Sequence, residues 1–153
     1  MDYNTAMYPQ FDRDRLRIEP LANRQHDISH DSLLSLDELP PPLPAAAMQQ
    51  LEHLGNRIQA AREHHATVLL IMGAHVIRSG VARQLIDMMQ RGLITHIALN
   101  GAGPIHDYEL ARIGATCESV ARYVSTGQFG LWKETAEIND VVREGAEQCM
   151  GLG

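Results

Sequence analysis

Residues 100–107, Asn-Gly-Ala-Gly-Pro-Ile-His-Asp, combine small residues with side chains able to do chemistry. They follow an apolar run typical of a buried strand and precede a segment typical of a helix. Glycine lets the backbone approach a ligand closely, and the first turn of a helix directs N–H groups toward an anion. Asp107 or Glu109 would accept hydrogen bonds from ribose hydroxyls. The segment therefore predicts a phosphate or ribose site.

A second glycine loop, residues 72–80, follows an earlier apolar run. In open parallel sheets, ligands bind beyond the carboxyl ends of the strands, where both loops would lie. His75 and His106, one in each loop, would bind phosphate, act as an acid or base, or simply be solvated. The alternative is that the glycines only make turns, since neither the full dinucleotide fingerprint nor the phosphate-binding P-loop pattern is present. Both interpretations stay open at this point.

The elements that must position these loops alternate as strand, helix, strand and helix. Strands are predicted at 66–72 and 94–100, with helices at 45–65 and 80–92 and three helical segments after Asn100 (108–114, 117–127 and 133–151). This order predicts a parallel, Rossmann-like α/β sheet. Two strands alone cannot bury both sheet faces. Either the chain is the front part of a longer protein, which we favour, or other subunits complete the sheet.

Composition divides the chain near residue 44. Residues 1–44 are rich in charge, Ser and Pro and end in Leu-Pro-Pro-Pro-Leu-Pro, which fixes an extended connector. We expect an extended arm there, disordered alone or lying on a partner. Residues 45–153 are expected to form the N-terminal part of a Rossmann-like nucleotide-binding domain.

Charge and hydropathy exclude several classes of function. A formal net charge of −6 argues against a nucleic-acid partner, which would require a basic face. No apolar stretch approaches the length of a membrane span, so no membrane partner is expected. The N-terminus lacks the pattern of a secretory signal. The two cysteines, Cys117 and Cys149, lack metal-type spacing and are interpreted as reduced thiols of a cytoplasmic protein.

Residues 77–114 resemble the N-terminal, cofactor-binding half of deoxyhypusine synthase, and the match to a bacterial branch of synthase-like proteins spans roughly residues 72–145. The motifs that carry the resemblance are Gly-Ala-His-Val-Ile, Ser-Gly before a helix, the Asn-Gly-Ala-Gly strand end with its His-Asp, and Gly-Gln-Phe-Gly. The resemblance implies a parallel, doubly wound, NAD-binding sheet broadly related to sirtuins. It also implies NAD-dependent oxidation of a polyamine and transfer of its aminobutyl group to a lysine, a transferase reaction.

The resemblance carries over residue by residue. Ser79 matches the loop serine beside the cofactor, and Ala102 with Gly103 match the Ala-Gly of the second strand end. His106 and Asp107 fall where the family has two acidic residues. The predicted cofactor-binding residues are Ser79, Asn100, Gly101, Ala102, Gly103, His106 and Asp107.

The sequence departs from the family at His106, which replaces a carboxylate, and at Pro104, which replaces a glycine. The family's catalytic lysine and its polyamine-binding residues belong to a later half. Two hypotheses follow: part of a homo-oligomeric NAD-dependent enzyme acting on a polyamine, or a non-catalytic module of the same fold that binds a nucleotide, metabolite or protein.

Overall fold

The computed structural model describes residues 12–150 of the chain. Its strands are β1 (His26–Ser29), β2 (Leu69–Met72), β3 (His96–Leu99) and β4 (Ala115–Glu118). Its α-helices are α1 (Ala45–Glu63), α2 (Ala74–Arg78), α3 (Ala82–Gln90), α4 (Ala102–Ile113), α5 (Val120–Val124) and α6 (Lys133–Glu147). The chain forms two compact units, one of residues 26–117 and one of the segments on either side.

The first unit contains the predicted parallel pair. β2 and β3 are hydrogen-bonded in parallel, with Leu69 opposite His96 and Met72 opposite Leu99. The α/β class and the parallel pairing are therefore confirmed. The pairing occurs because each short apolar run is followed by a helix that carries the chain back for a parallel crossover. This pair and the β1–β4 pair are separate two-stranded sheets, so a doubly wound Rossmann-like sheet goes beyond what they show.

The helices begin and end at the residues that backbone chemistry favours. α1 follows Pro44, whose fixed φ suits the start of a helix. α3 ends just before Gly92, which has a φ of +67°, as the sequence predicted. α4 ends at Gly114, which has a φ of +71°. An additional short helix, α2, occupies the loop after β2, where only a glycine turn was expected.

The helix predicted over 117–127 is wrong at its start. Residues 115–118 form β4, which pairs with β1 in a small antiparallel sheet, and the helix begins only at Val120. The His30 N–H continues this contact by donating to the Gly114 carbonyl at 2.9 Å. The strand was missed because its partner lies far away in the sequence, and local periodicity carries no record of that pairing.

Part of the segment expected to form an arm takes part in folded structure. Residues 12–44 contain β1 and three single-turn 3-10 helices (Arg13–Arg15, Leu21–Asn23 and His30–Ser32), while residues 39–44 contain no helix or strand. The two compact units divide the chain at 25/26 and 117/118, which differs from the boundary at residue 44 that composition suggested. Residues 1–11 of the expected arm lie outside the described residues.

Within the described residues of the second unit, 12–25 and 118–150, several side chains pack around Trp132. This side chain is buried, its ring meets that of Tyr123 edge-on at 5.1 Å, and the Arg24 guanidinium lies 5.6 Å from its centroid. Its indole N–H donates to Glu118 at 2.6 Å. Trp132 is thus part of the core of this unit. No helix among residues 12–150 is both long and apolar enough to cross a membrane.

Candidate functional site at the carboxyl edge of the parallel strands

The two segments singled out in the sequence begin side by side at one edge of the parallel pair. Because Met72 lies opposite Leu99, the residues that follow β2 and β3 leave the sheet together. A Cβ placed on Gly73 would lie 3.8 Å from the side-chain nitrogen of Asn100. α2 packs against α4 behind this edge. The structure therefore brings Gly73, Asn100, Gly101 and Ala102 into one exposed neighbourhood.

The two glycines at the start of α4 have different roles. Gly101 caps the helix with a φ of −57°, and a Cβ there would meet nothing within 4 Å. Gly103 lies inside the first turn and is buried, and a Cβ there would lie 3.1 Å from the Leu99 side chain. The Leu99 side chain fills the space at Gly103 from within the protein, and binding of a cofactor by Gly103 stays a prediction. Neither glycine has a positive φ. The open space therefore lies at Gly101 rather than at Gly103.

The first turn of α4 offers fewer donors than a standard anion site. The Gly103 N–H donates to the Asn100 carbonyl at 3.0 Å, and Pro104 has no N–H. An anion at this helix terminus would therefore rely on the backbone nearest Gly101 and Ala102. This geometry favours a hydroxyl-rich group over a phosphate at the start of α4.

Ser79 lies at the far end of α2, about 9 Å from Gly73 along the helix axis. Its hydroxyl is exposed and donates to the Val76 carbonyl at 2.7 Å. Gly80 beside it has a φ of +88°, and a Cβ there would lie 2.7 Å from the Ser32 carbonyl oxygen. The Gly80 carbonyl also accepts the Leu34 N–H at 2.9 Å. Gly80 is thus required where two backbone segments meet.

The two acidic candidates on α4 point in different directions. Asp107 is exposed. Glu109 is only 1% exposed and accepts a 2.7 Å hydrogen bond from the Thr116 hydroxyl. The suggestion that Glu109 receives ribose hydroxyls is wrong, because its carboxylate is directed into the core.

His106 joins α4 to β4 through a buried polar network. Its Nδ1 lies 2.9 Å from Thr116 Oγ1, which in turn donates to Glu109. Thr116 is fully buried, whereas His106 is half-buried. Cys117 Sγ lies 3.7 Å from the same Nδ1. The network therefore runs from the interior to a residue with solvent access.

Cys117 completes the buried end of this network. It has a φ of +65°, which is uncommon for a residue with a side chain. Burial raises the pKa of its thiol, and the nearby carboxylates of Glu109 and Asp27 act in the same direction. Arg78 opposes this rise through its charge and a hydrogen bond. The balance keeps Cys117 a neutral thiol with little nucleophilic character.

Three members of this network, Thr116, Cys117 and Arg78, were not predicted as site residues. Thr116 and Cys117 lie on β4, which the sequence did not reveal. A usable signal was present, since polar Thr116 lies two residues after Gly114, the glycine that ends α4, and seven residues beyond Glu109.

An open depression of about 400 Å³ lies at the other end of the parallel pair. Its lining comprises Arg62, His65, Ala66, Gln90, Arg91, Gly92 and Thr95. None of the predicted cofactor-binding residues borders it. Both α1 and α3 end there, and Arg91 pairs with Asp87 at 3.2 Å. The C-terminal ends of α1 and α3 carry the negative ends of the helix dipoles, which offset the positive charge of the arginines in the depression.

Within residues 12–150, no group of His, Cys, Asp and Glu side chains is arranged to hold a metal ion.

Comparisons of the chain with family models, curated proteins and solved structures gave no match. The resemblance to deoxyhypusine synthase therefore rests on its sequence motifs alone.

Proposed function

We propose that the chain binds a nucleotide, NAD, at the carboxyl edge of β2 and β3, as part of a deoxyhypusine synthase-like protein. The observation that carries the proposal is the meeting of Gly73 and Asn100 at the common end of two parallel strands. Ligands of open parallel α/β sheets bind at this position. The sequence motifs favour NAD among nucleotides.

The residues at the edge fit part of the cofactor. Gly101 leaves open space above the strand ends, Asn100 offers both donor and acceptor groups, and Asp107 offers a carboxylate for hydroxyls. Ser79 would contact the cofactor from the end of α2. When bound, NAD would supply the hydride acceptor for oxidation of a polyamine. The role of this chain's residues is to bind and orient it.

We assign no catalytic residue. The resembled reaction transfers an aminobutyl group to a lysine, and the sole lysine of this chain, Lys133, begins α6 in the other compact unit. A non-catalytic nucleotide-, metabolite- or protein-binding module is therefore the alternative function. Turnover of NAD with spermidine by the full-length protein separates the two, since the module would bind without turnover.

Calorimetry with NAD tests the binding proposal. Gly101→Val should weaken binding at least tenfold, about 1.4 kcal/mol, because it fills the open space without a clash inside the protein. Gly55→Ala is the matched control, since Gly55 also has open space around it but lies in α1. If the parent protein fails to bind NAD at millimolar concentration, the cofactor proposal is wrong and the alternative module is favoured.

Asp107→Asn tests the ribose contact separately. The amide replaces the carboxylate imperfectly as an acceptor, so we expect a loss of about 1–3 kcal/mol in NAD binding. Asp87→Asn on α3 serves as the control and should leave NAD affinity unchanged. Equal affinities for the parent and Asp107→Asn would remove Asp107 from the site.

We further propose that the protein is a homo-oligomer. Its support is the uncovered apolar surface of β2, where Ile71 is 75% exposed and Leu69 is 52% exposed. A parallel strand is normally covered on both faces. A second copy would provide this cover.

A further inference from the structure

The proline segment, residues 39–44 (Leu-Pro-Pro-Pro-Leu-Pro), lies outside the proposed nucleotide site. Each of its residues is exposed, and none belongs to a helix or strand. Within the described part of the chain, no hydrogen bond involves residues 39–43. The backbone carbonyls and the side chains of this segment are therefore open to a partner.

Proline restricts the conformation of the segment. Its ring fixes φ at about −65°, and four of the six residues also precede a proline, which restricts them to extended backbone. Pro44 has a φ of −56° and a ψ of 144°, which are values of the polyproline II helix. That helix has three residues per turn, so Pro41 and Pro44 lie along one edge and Pro42 along another.

The leucines argue against a role as a rigid spacer alone. A spacer before α1 requires the prolines for stiffness but has no use for exposed leucines. Leu39 is 88% exposed and Leu43 is 42% exposed, so neither side chain is covered by the fold. The three residues that follow, 45–47, are alanines and leave the first turn of α1 without bulk. A partner therefore has access to the apolar surface of the segment.

We propose that the proline segment binds a partner protein through a groove that is lined by aromatic side chains and flanked by a basic residue. Such grooves recognise Pro-x-x-Pro in the polyproline II conformation, and Pro41 and Pro44 have this spacing. The preformed segment loses little conformational entropy on binding, and indole or phenol donors of the groove reach its open carbonyls.

Charge and composition indicate which partner fits. Asp37 and Glu38 are exposed and directly precede the segment, which favours a cationic group beside the groove. A second copy of the chain does not fit, because its sole tryptophan, Trp132, is buried. The partner is therefore a different protein.

Titration of an isotope-labelled WW domain with the unlabelled full chain tests the proposal by NMR. The probe is a WW domain with a tyrosine and tryptophan groove and an arginine beside it. Its groove amides should shift, and Pro41→Ala should raise the dissociation constant roughly tenfold or more. Pro42→Ala, on another edge of the same segment, is the matched control and should change it by a factor of about three at most. Circular dichroism verifies that each variant is folded.

The outcomes separate the parts of the proposal. Groove signals that do not move with the parent, or equal affinities of the parent and Pro41→Ala, would overturn it. Equal losses for Pro41→Ala and Pro42→Ala would reject the assigned edge. Glu38→Lys should weaken binding to this probe and strengthen binding to a WW domain with glutamate in place of the arginine. The same change with both probes would reject the basic flank. NAD is absent throughout, so the result is independent of the nucleotide proposal.

Discussion

At the scale of a residue, the hydroxyl of Thr116 contacts two functional groups of the buried network. It is fully buried and lies between a half-buried imidazole and a buried carboxylate. His106 was predicted to contact a ligand, yet it is half-buried. Its contact with Thr116 explains this partial burial. The same contacts explain why the Glu109 carboxylate faces the interior.

Removal of the Thr116 hydroxyl should destabilise the fold. Thr116→Val keeps the side-chain shape but leaves buried polar groups of Glu109 and His106 without this partner, at a cost of about 1–3 kcal/mol. Urea denaturation followed by circular dichroism measures the free energy of unfolding. Thr116→Ser keeps the hydroxyl and should lose less. Equal stability of the parent and Thr116→Val would show that the network contributes nothing to the fold.

The two thiols should differ in reactivity. Cys117 is buried with a raised pKa, whereas Cys149 is exposed. A thiol reagent should label Cys149 rapidly in the native protein, whereas Cys117 should react only when the protein unfolds. Cys149→Ala should remove the fast phase and Cys117→Ala the slow one. A fast reaction at Cys117 would contradict its buried placement.

The raised pKa of Cys117 also predicts a pH dependence of stability. Between the unfolded thiol pKa, about 9, and the higher folded value, the unfolded chain binds fewer protons than the native one. The free energy of unfolding should therefore be unaffected by this group below pH 9 and fall as the pH rises above it. Cys117→Ala should remove that part of the decline, and Cys149→Ala should retain it.

At the scale of elements, the glycines separate into those that the fold needs and those that it tolerates. Gly55 lies within α1 with open space around it, whereas Gly80 combines a positive φ with a close backbone neighbour. Gly101 resembles Gly55 in its surroundings but lies at the candidate site. Only the structure distinguishes these cases, since all are the same letter in the sequence.

Replacement of Gly55 and of Gly80 by alanine should change the free energy of unfolding in opposite directions. Gly55→Ala should stabilise the protein by about 0.5–1 kcal/mol through helix propensity. Gly80→Ala should destabilise it by at least roughly 1–2 kcal/mol, the cost of a left-handed backbone for a residue with a side chain. Contact with the Ser32 carbonyl adds to that cost. Thermal melts of the two variants beside the parent measure both, and a stabilising Gly80→Ala would contradict the assigned backbone.

At the scale of the whole molecule, the apolar surface that the chain leaves uncovered is extensive. β2 exposes Leu69 and Ile71, and α1 has no buried residue, with Met48, Leu51 and Leu54 each about half exposed. Surfaces of this kind are commonly covered by another chain or another segment.

Self-association should therefore depend on Ile71. Ile71→Thr keeps a β-branched residue in the strand but reduces the apolar area, so the dissociation constant of the oligomer should rise. Light scattering over a concentration series measures the mass of the parent and variant. Val141→Thr, an exposed apolar position on α6, is the control. A monomeric parent at all concentrations would reject the homo-oligomer.

The sequence by itself determined the helices α1, α3 and α6 and the parallel strands β2 and β3. Their apolar periodicity and bounding prolines and glycines are local properties, and local patterns are sufficient for such elements. The same patterns predicted that Asn100 and the loop after β2 lie at one edge of the sheet. Whether NAD binds there stays a prediction.

Only the tertiary structure decided which side chains meet. The pairing of β4 with β1, the packing of Gly103 on Leu99 and the contact of His106 with Thr116 depend on segments brought together by folding. A residue's neighbours across the fold are not encoded in its own periodicity, and burial can turn a carboxylate such as Glu109 from a ligand group into part of the core. For that reason, the sequence predicted His106 as a site residue, but only the fold revealed its contact with the Thr116 hydroxyl, which is bonded in turn to the Glu109 carboxylate.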